Sequence, residues 1–290
     1  MDNIGKLMEL LAPEEAVNET SLPNVHIYKS STHIEQIPLL YQKGLIIVGQ
    51  GKKRVHLSDC AYEYNPDNYL VVNVPLPAEC ETFGSKDEPF LCMLVDIDTT
   101  VLRKIISELD DELISTLQNG KIQAKGLFID KAAPELKENV ARLLKVLQSP
   151  IESKILGEGL VKELLYRVMC GKSASLLYEL ANKDTHLSKI SDALEEIHEN
   201  YHNPVEVADL AEMVNMSTSA FHRTFKNVTS YSPIQYIKKV RLNNAKNYIA
   251  DHKMRVNEAA RQVGYESVSQ FSREFKNYFG KSPKEFLAIA

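Results

Sequence analysis

A short pattern occurs twice in the last quarter of the chain, fifty positions apart, and it constrains the fold more than any other feature. Phenylalanine, arginine, phenylalanine, lysine, asparagine, serine and proline recur at the same offsets in both copies. An internal repeat of this kind indicates two copies of one supersecondary unit. The copies are Phe221-His222-Arg223-Thr224-Phe225-Lys226-Asn227 followed by Ser232-Pro233, and Phe271-Ser272-Arg273-Glu274-Phe275-Lys276-Asn277 followed by Ser282-Pro283.

Each copy is preceded by the same three signals. A small residue allows two helices to cross closely, and four positions later stands a residue that adopts a positive φ at low cost. A serine then follows, which can accept hydrogen bonds from the first free amides of the next helix. The pairs are Ala211 and Ala260, Asn215 and Gly264, and Ser217 and Ser267. Together they predict two helix-turn-helix motifs.

The second helix of each motif has two distinct faces. Its two phenylalanines lie four positions apart, share one side of the helix and are predicted to be core. The other positions are cationic or hydrogen-bonding, as in helices that contact bases and phosphates. They are Ser219, His222, Arg223 and Lys226 in the first copy, and Ser269, Gln270, Ser272, Arg273 and Lys276 in the second. A plain amphipathic helix is the alternative, but repetition of the turn, the cap and the arginine disfavours it.

A third predicted helix separates the two copies. It runs from Pro233 to Ala250 and carries an apolar stripe at helical spacing. Such a helix is roughly 27 Å long, and one DNA turn is about 34 Å. It could therefore hold two recognition helices in successive major grooves.

Charge divides the chain in the same place. Residues 217–290 contain 13 lysines and arginines against 5 acidic residues, a net charge of +8. Because the whole chain carries −5, residues 1–216 carry −13. The asymmetry favours a polyanion-binding end on an acidic body.

Residues 188–290 resemble the DNA-binding domain of the AraC/XylS family of bacterial transcription regulators. The resemblance rests on Ala259-Ala260-Arg261-Gln262-Val263-Gly264-Tyr265, the Phe-x-Arg-x-Phe-Lys cores and Gly280-Lys281-Ser282-Pro283-Lys284-Glu285-Phe286. It implies base contacts from Ser219, His222 and Arg223 in the first helix and from Val268, Ser269, Ser272 and Arg273 in the second. We expect Arg223 and Arg273 to contact bases or phosphates, and Lys226 and Lys276 to contact phosphates. The first copy departs from the family pattern at Asn215 and at Val228-Thr229-Ser230.

Residues 25–97 alternate between short apolar runs and turn signals, a pattern typical of a small β-barrel or sandwich. The predicted strands are Val25–Lys29, Leu45–Gln50, Arg54–Leu57, Ala61–Tyr64, Tyr69–Val74, Glu79–Phe83 and Phe90–Ile97. From Thr99 the pattern becomes helical, with an amphipathic stripe over Leu136–Leu147, a second helix over Leu160–Ala181 that follows Gly157 and Gly159, and a linker near Asn182–Leu187. The predicted fold class is α+β in two domains, residues 1–185 and 186–290.

The stretch around Gly49-x-Gly51, Tyr62-x-Tyr64-x-Pro66 and Glu88-Pro89-Phe90 resembles the cupin-like N-terminal domain of one branch of the same family. The resemblance implies a small-molecule effector inside the barrel and helices beside it that pair two subunits. The helix over Leu136–Leu147 could serve that pairing or pack on its own barrel. Tyr62, Tyr64, Tyr69 and Phe83 could line the effector pocket or be ordinary core.

Other classes of protein are less consistent with the sequence. The catalytic cupin pattern of clustered histidine and glutamate ligands is absent, since His26, His33 and His56 are scattered. We therefore expect no enzyme activity, no cofactor and no metal site, and a metal enzyme with an appended nucleic-acid-binding domain is the alternative. Cys60, Cys80, Cys92 and Cys170 lack CxxC spacing. A redox or aldehyde sensor among Cys60, Cys80 and Cys92 stays open.

The sequence therefore predicts a DNA-binding transcription regulator of the AraC family, with activation as the favoured outcome. Its expected partners are double-stranded promoter DNA, RNA polymerase, a small effector and a second copy of the chain. No signal peptide or long apolar run is evident, so a cytoplasmic location without a membrane is expected. A basic tail that merely condenses nucleic acid is the competing class of binding protein.

Overall fold

The computed structural model describes residues 3–58, 60–119 and 124–289. It contains an N-terminal region of two antiparallel sheets with flanking helices, and a C-terminal region that is helical throughout. The predicted α+β class is therefore confirmed. The two sheets share a core between them, as a lysine of one sheet lying over a tyrosine ring of the other shows. They do not join into one closed barrel, so the cupin-like domain is an open two-sheet sandwich.

One sheet has six strands in the order β1-β2-β9-β4-β7-β10 and the other has four in the order β3-β8-β5-β6, and every neighbouring pair is antiparallel. In chain order the strands are β1 (Ala16–Glu19), β2 (Val25–Ser30), β3 (Ile34–Tyr41), β4 (Gly44–Gln50), β5 (Lys52–Leu57), β6 (Cys60–Tyr64), β7 (Asn68–Val72), β8 (Leu76–Phe83), β9 (Phe90–Asp96) and β10 (Leu127–Lys131).

All seven predicted strands are present, with ends that differ by a few residues. Three further strands were not predicted, for different reasons. β1 is short and mostly exposed, so it lacks an apolar pattern. β3 contains Pro38, which argues against a strand in a sequence. β10 corrects the expectation that the chain is helical from Thr99 onward, because it returns to the sheet beside β7.

Six helices flank the sandwich: α1 (Ile4–Leu10), α2 (Thr99–Ile106), α3 (Asp111–Asn119), α4 (Pro134–Val146), α5 (Pro150–Met169) and α6 (Ala174–Ala181). The predicted single helix over Leu160–Ala181 is wrong in its extent, because it is divided between α5 and α6 and α5 begins earlier. Gly157 does not mark the start of a helix. It lies inside α5, where a Cβ would come within 2.6 Å of the Leu22 side chain.

The apolar stripe of α4 packs inside its own domain. Leu136, Val140, Leu143, Leu144 and Leu147 are all buried, and α4 packs against α1 and α5. Of the two roles that the sequence allows for this stripe, packing on its own domain is the one observed.

The C-terminal helices are α7 (His186–Asn200), α8 (Val207–Met213), α9 (Thr218–Thr229), α10 (Pro233–Ala250), α11 (Val256–Gln262), α12 (Val268–Phe279) and α13 (Pro283–Ile289). Buried apolar side chains form one continuous cluster from the sandwich through α7, α8, α9 and the first half of α10. A second cluster joins the rest of α10 to α11 and α12. The first helix-turn-helix unit thus shares its core with the sandwich, and the second unit has its own.

A chain of hydrogen bonds joins the two regions through the buried Tyr236. Its hydroxyl donates to the Pro75 carbonyl at 2.7 Å and lies 2.8 Å from Nε2 of His198. Because the Tyr236 proton is used on Pro75, the His198 ring must donate to the Tyr236 oxygen. Burial lowers the pKa of His198 to about 4, so the ring is neutral at physiological pH.

This arrangement predicts a stability loss in mild acid. Unfolded His198 takes up a proton near its ordinary pKa of 6.5, whereas the folded ring resists protonation down to about 4. The free energy of unfolding should therefore decrease by roughly 2 kcal/mol on this account alone between about pH 7 and about pH 4.5. Urea denaturation at both pH values measures it, with His198→Gln as the comparison. An equal decrease in the variant and the wild type would contradict the assignment.

Candidate DNA-binding surface

The two predicted helix-turn-helix motifs are α8–α9 and α11–α12, and the spacer helix α10 begins and ends at the predicted residues. At the two turns, Asn215 has a φ of 54° and Gly264 a φ of 84°. Ser217 caps α9 by accepting from the Ala220 amide at 3.4 Å, and Ser267 caps α12 by accepting from the Gln270 amide at 3.2 Å. The turn and cap predictions are confirmed.

The phenylalanines hold each recognition helix by one face. Phe221, Phe225, Phe271 and Phe275 have no exposed surface, and the rings of each pair lie 5.4 Å apart. Each supporting helix contributes its small alanine, Ala211 or Ala260, to the core beneath. Because both helices are fixed by the same face, the opposite faces are presented to solvent in the same way.

Eight of the ten candidate contact residues lie on those outer faces. Ser219, His222, Arg223, Lys226, Ser269, Gln270, Arg273 and Lys276 are exposed, and Ser272 is half-buried. Val268 is also half-buried and packs partly against the second apolar cluster. Neither Arg223 nor Arg273 forms an ion pair with another residue of the described chain. Two cationic side chains in equivalent positions are therefore available to a polyanion.

The outer face of α12 contains an acidic residue that the sequence reading passed over. Glu274 accepts hydrogen bonds from the Tyr265 hydroxyl at 2.8 Å and from the Gln270 amide at 3.0 Å, and it pairs with Lys238 of the spacer helix at 3.3 Å. Gln270 is thus oriented by Glu274 rather than free. The equivalent position of α9 is Thr224, so the two recognition helices differ in charge.

Lys226 lies at the edge of a cavity between the two regions. The cavity, of about 500 Å³, is bounded by the C-terminal end of α9 and by the sandwich near Ser58, Tyr62 and Lys125. The Gly126 amide donates to the Val228 carbonyl at 2.9 Å beside it. The end of the first recognition helix is therefore in contact with the N-terminal region, which a sequence alone does not reveal.

A second cavity of about 350 Å³ lies within the sandwich. Its walls are mostly apolar, and Lys53 of β5 projects into it with only 8% of its surface exposed. The Lys53 ammonium lies 5.2 Å from the ring centre of Tyr28 and 5.5 Å from that of Tyr41. No carboxylate in the described parts of the chain pairs with it. Burying a charge without a carboxylate partner is costly, and the rings of Tyr28 and Tyr41 are the partners that the described residues supply to Lys53.

The tyrosines and the phenylalanine suggested for the effector pocket do not lie together. Tyr64 lines the sandwich cavity, where its hydroxyl is 3.0 Å from that of Tyr41. Tyr69 is buried outside the cavity lining, and Tyr62 borders the cavity between the regions. Phe83 lies beneath Lys52 and Arg54. Lys53 escaped sequence reasoning because a lysine in an alternating strand normally points to solvent.

The cysteines and histidines form no reactive centre in the described residues. Cys60 and Cys170 are exposed, Cys80 and Cys92 are buried, and burial raises the pKa of the Cys92 thiol to about 12. A thiol with so high a pKa stays protonated, which disfavours Cys92 as a sensor. Across residues 3–58, 60–119 and 124–289 no three His, Cys, Asp or Glu side chains cluster as metal ligands would.

Comparison with family models gives two matches. Residues 21–176 match the model of the AraC-type transcriptional regulator N-terminus, and residues 210–289 match a helix-turn-helix domain. Such a sandwich followed by two helix-turn-helix motifs defines a class of two-domain transcription regulators. The chain belongs to the AraC/XylS family of these regulators.

Relatives with known names are regulators of operons and regulons. The chain is 36% identical over 90 residues to the Msm operon regulatory protein of Streptococcus mutans, covering 31% of this chain and 32% of that one. It is 25% identical over 181 residues to the lactose operon transcription activator of Staphylococcus xylosus, covering 60% and 63%. Less than two thirds of either relative is matched. The chain is 24% identical over 250 residues to the virulence regulon transcriptional activator VirF of Yersinia enterocolitica, covering 84% of this chain and 88% of that one.

Solved structures share the whole fold. ToxT of Vibrio cholerae with a bound unsaturated fatty acid matches with a TM-score of 0.60 at 14% identity, covering 91% of this chain and 94% of that one. ToxT bound to (E)-4-(8-methylnaphthalen-1-yl)but-3-enoic acid matches with a TM-score of 0.58 at 16% identity, covering 91% and 98%. At such identities the likeness is one of fold. Among the described residues, no helix has the length and apolar character needed to cross a membrane.

Proposed function

We propose that the protein activates transcription by binding a specific promoter sequence through α9 and α12, which enter successive major grooves. The observation that carries this proposal is the pair of capped helices with exposed arginines, joined by an 18-residue spacer helix. Activation and contact with RNA polymerase are proposed because two of the relatives named above are activators. A regulator of promoters works where the chromosome is, so we propose a cytoplasmic location.

Each candidate residue has a proposed role. Arg223 and Arg273 contact bases or phosphates, and Lys226 and Lys276 neutralise phosphates. Ser219, His222, Val268, Ser269, Gln270 and Ser272 contact base edges. Exposure of eight of these ten residues, all except Val268 and Ser272, supports these roles. We further propose that residues 1–185 sense the signal and residues 186–290 bind DNA.

Replacement of Arg273 by alanine tests the DNA-binding surface. We expect Arg273→Ala to weaken binding to the selected promoter sequence by about 1–3 kcal/mol, because a specific base or phosphate contact is lost. Competition gel shifts or fluorescence anisotropy measure the change against random-sequence DNA. Arg142→Ala is the matched control, since Arg142 is an exposed arginine on α4. If Arg273→Ala keeps wild-type specific and non-specific affinity, α12 is not a recognition helix.

We propose that the effector binds in the sandwich cavity and is an amphipathic anion, with an apolar body against Leu39, Ile46 and Leu94 and an acidic group on Lys53. The apolar walls and the buried, unpaired lysine support this chemistry. Both ligands named for the similar ToxT structures are carboxylic acids with large apolar parts. A bound carboxylate would supply the partner that Lys53 lacks.

A matched pair of ligands tests the anion site. We expect the wild-type protein to bind decanoate more tightly than decan-1-ol, because only decanoate pairs with Lys53. Lys53→Met should weaken the binding of decanoate by roughly tenfold or more, which corresponds to the loss of one charge-assisted hydrogen bond. The binding of decan-1-ol should be unchanged. Isothermal titration calorimetry measures both.

Lys52→Met is the control for that experiment, because Lys52 is the neighbouring lysine and pairs with Glu63 at 3.4 Å. An equal loss of both ligands in Lys53→Met would indicate a packing defect. Preferential binding of decan-1-ol to the wild type would exclude an anion site.

We also propose that the protein forms a homodimer through α5. Ile151 and Ile155 of this helix are 72% and 73% exposed, and Tyr166 is exposed on the same face about three turns beyond Ile155. Gly159 lies between them with open space beyond its Cα. Two antiparallel copies of α5 could therefore approach closely across the glycine and cover both isoleucines.

The dimer is tested by charge substitution on α5. We expect Ile155→Asp to convert the dimer to a monomer, because each copy would then place a carboxylate in an apolar contact. Analytical ultracentrifugation of the full chain measures the mass. Leu10→Asp is the control, since Leu10 is 69% exposed on α1. A monomeric wild type, or a dimeric Ile155→Asp, would refute this interface.

A further inference from the structure

The second helix-turn-helix unit meets the first at a small polar contact near the middle of the spacer helix. Arg241 of α10 donates from Nε to the Tyr201 carbonyl at 2.7 Å and from Nη2 to the Asn203 carbonyl at 2.8 Å. Both carbonyls belong to the loop between α7 and α8. The third nitrogen of Arg241, Nη1, donates to the Gly264 carbonyl at 3.3 Å, and Gly264 lies in the turn of the second unit. One guanidinium therefore ties the turn of the second unit to a loop of the first.

The backbone at Gly264 adds a steric element to this contact. A Cβ at this position would come within 2.4 Å of the His202 carbonyl oxygen. The turn of the second unit is thus packed directly against the loop of the first, at a distance that only glycine permits. Asn215, the equivalent residue of the first unit, has the same left-handed backbone but is exposed. The departure of the first copy from glycine is explained: its turn needs the positive φ, but the exposed Asn215 shows that this turn has room for a side chain.

The second unit is also attached to the rest of the chain in other ways. It continues from the spacer helix, Lys239 of that helix lies 4.8 Å from the ring centre of Tyr231 and 4.4 Å from that of Tyr278, and α12 approaches β3. Its apolar core is nevertheless a separate cluster that meets the first within α10. The three hydrogen bonds and the close backbone contact hold the turn of the second unit directly against the loop of the first, and this added attachment restricts rotation about the spacer helix.

We infer that Arg241 and Gly264 are positioning residues that fix the second recognition helix relative to the first, so that the protein accepts only one spacing and phase between its two half-sites. This inference rests on the proposed function, because it presupposes that both helices contact one duplex. Inserting two base pairs between half-sites displaces the second groove by roughly 7 Å and rotates it by about 70°. A protein whose two units can tilt relative to each other could follow that change. A protein whose second unit is held by Arg241 and Gly264 could not.

The test uses full-length protein and a duplex that the wild type selects from a random-sequence pool, with zero, one or two base pairs inserted between the protected grooves. The quantity of interest is the affinity at the selected spacing divided by the affinity with two inserted pairs. For the wild type we expect a ratio on the order of tenfold or more, because the second helix loses its linked contact. For Arg241→Met the ratio should fall below about threefold, with weaker binding at the selected spacing.

Gly264→Ala provides a second route to the same result, since its methyl group must push the loop away. Asn215→Ala is the matched control: it also places alanine in a left-handed turn, but at an exposed position that already carries a Cβ, so the wild-type ratio should persist. Arg241→Lys, which keeps the charge and one donor, should lie between the wild type and Arg241→Met. The second unit retains its own apolar core in every variant, and thermal unfolding checks this.

If Arg241→Met and Gly264→Ala keep the wild-type ratio, the inference is wrong and the other contacts of the second unit set the spacing. An equal fall of the affinity ratio in Asn215→Ala would also overturn the inference, because the effect would then come from backbone strain in a turn. A wild-type protein that selects no sequence contradicts the proposed function itself, and that outcome is distinct from both.

Discussion

Burial of paired phenylalanines on one face of each recognition helix is the interaction on which the rest of this molecule depends. Phe221 and Phe225 are fully enclosed, as are Phe271 and Phe275. Fixing one face of a helix fixes the direction of every other side chain on it, because the helical period leaves no freedom of rotation once that face is packed. The outward arginines therefore need no contacts of their own to be held in place. They can remain unpaired in the free protein and available to DNA.

The same constraint makes the differences between the two units informative. Both turns require a left-handed residue and both helices require a serine cap, so these features recur in sequence and structure. Gly264 faces the His202 carbonyl too closely for a Cβ, whereas Asn215 is exposed and carries one. Glu274 has no acidic counterpart at Thr224, and it connects α12 to the spacer helix through Lys238. Both of these departures from the repeat occur where the second unit contacts another element.

Local features of the fold could be predicted from the sequence, whereas long-range contacts could not. The helix-turn-helix units and the spacer helix depend on caps, turns and apolar spacing within a few residues, and all were recoverable. β10 depends on pairing with β7, which lies more than fifty positions earlier in the chain, and its own composition does not predict that pairing. In the sequence Gly157 resembles a helix boundary, because the Leu22 side chain that packs closely against it belongs to a distant part of the chain. Lys53 and Arg241 were missed likewise, since their surroundings come from separate elements.

The position of β3 connects the sandwich cavity to the DNA-binding region. Leu39, Leu40 and Tyr41 of this strand line the sandwich cavity that contains Lys53. The spacer helix α10 packs against β3 and its neighbour β8, and α12 also approaches β3. Close-packed elements shift as units rather than deform continuously. A ligand that displaces β3 must therefore move the surface on which the spacer helix rests, and with it the helix that sets the distance between the two recognition helices.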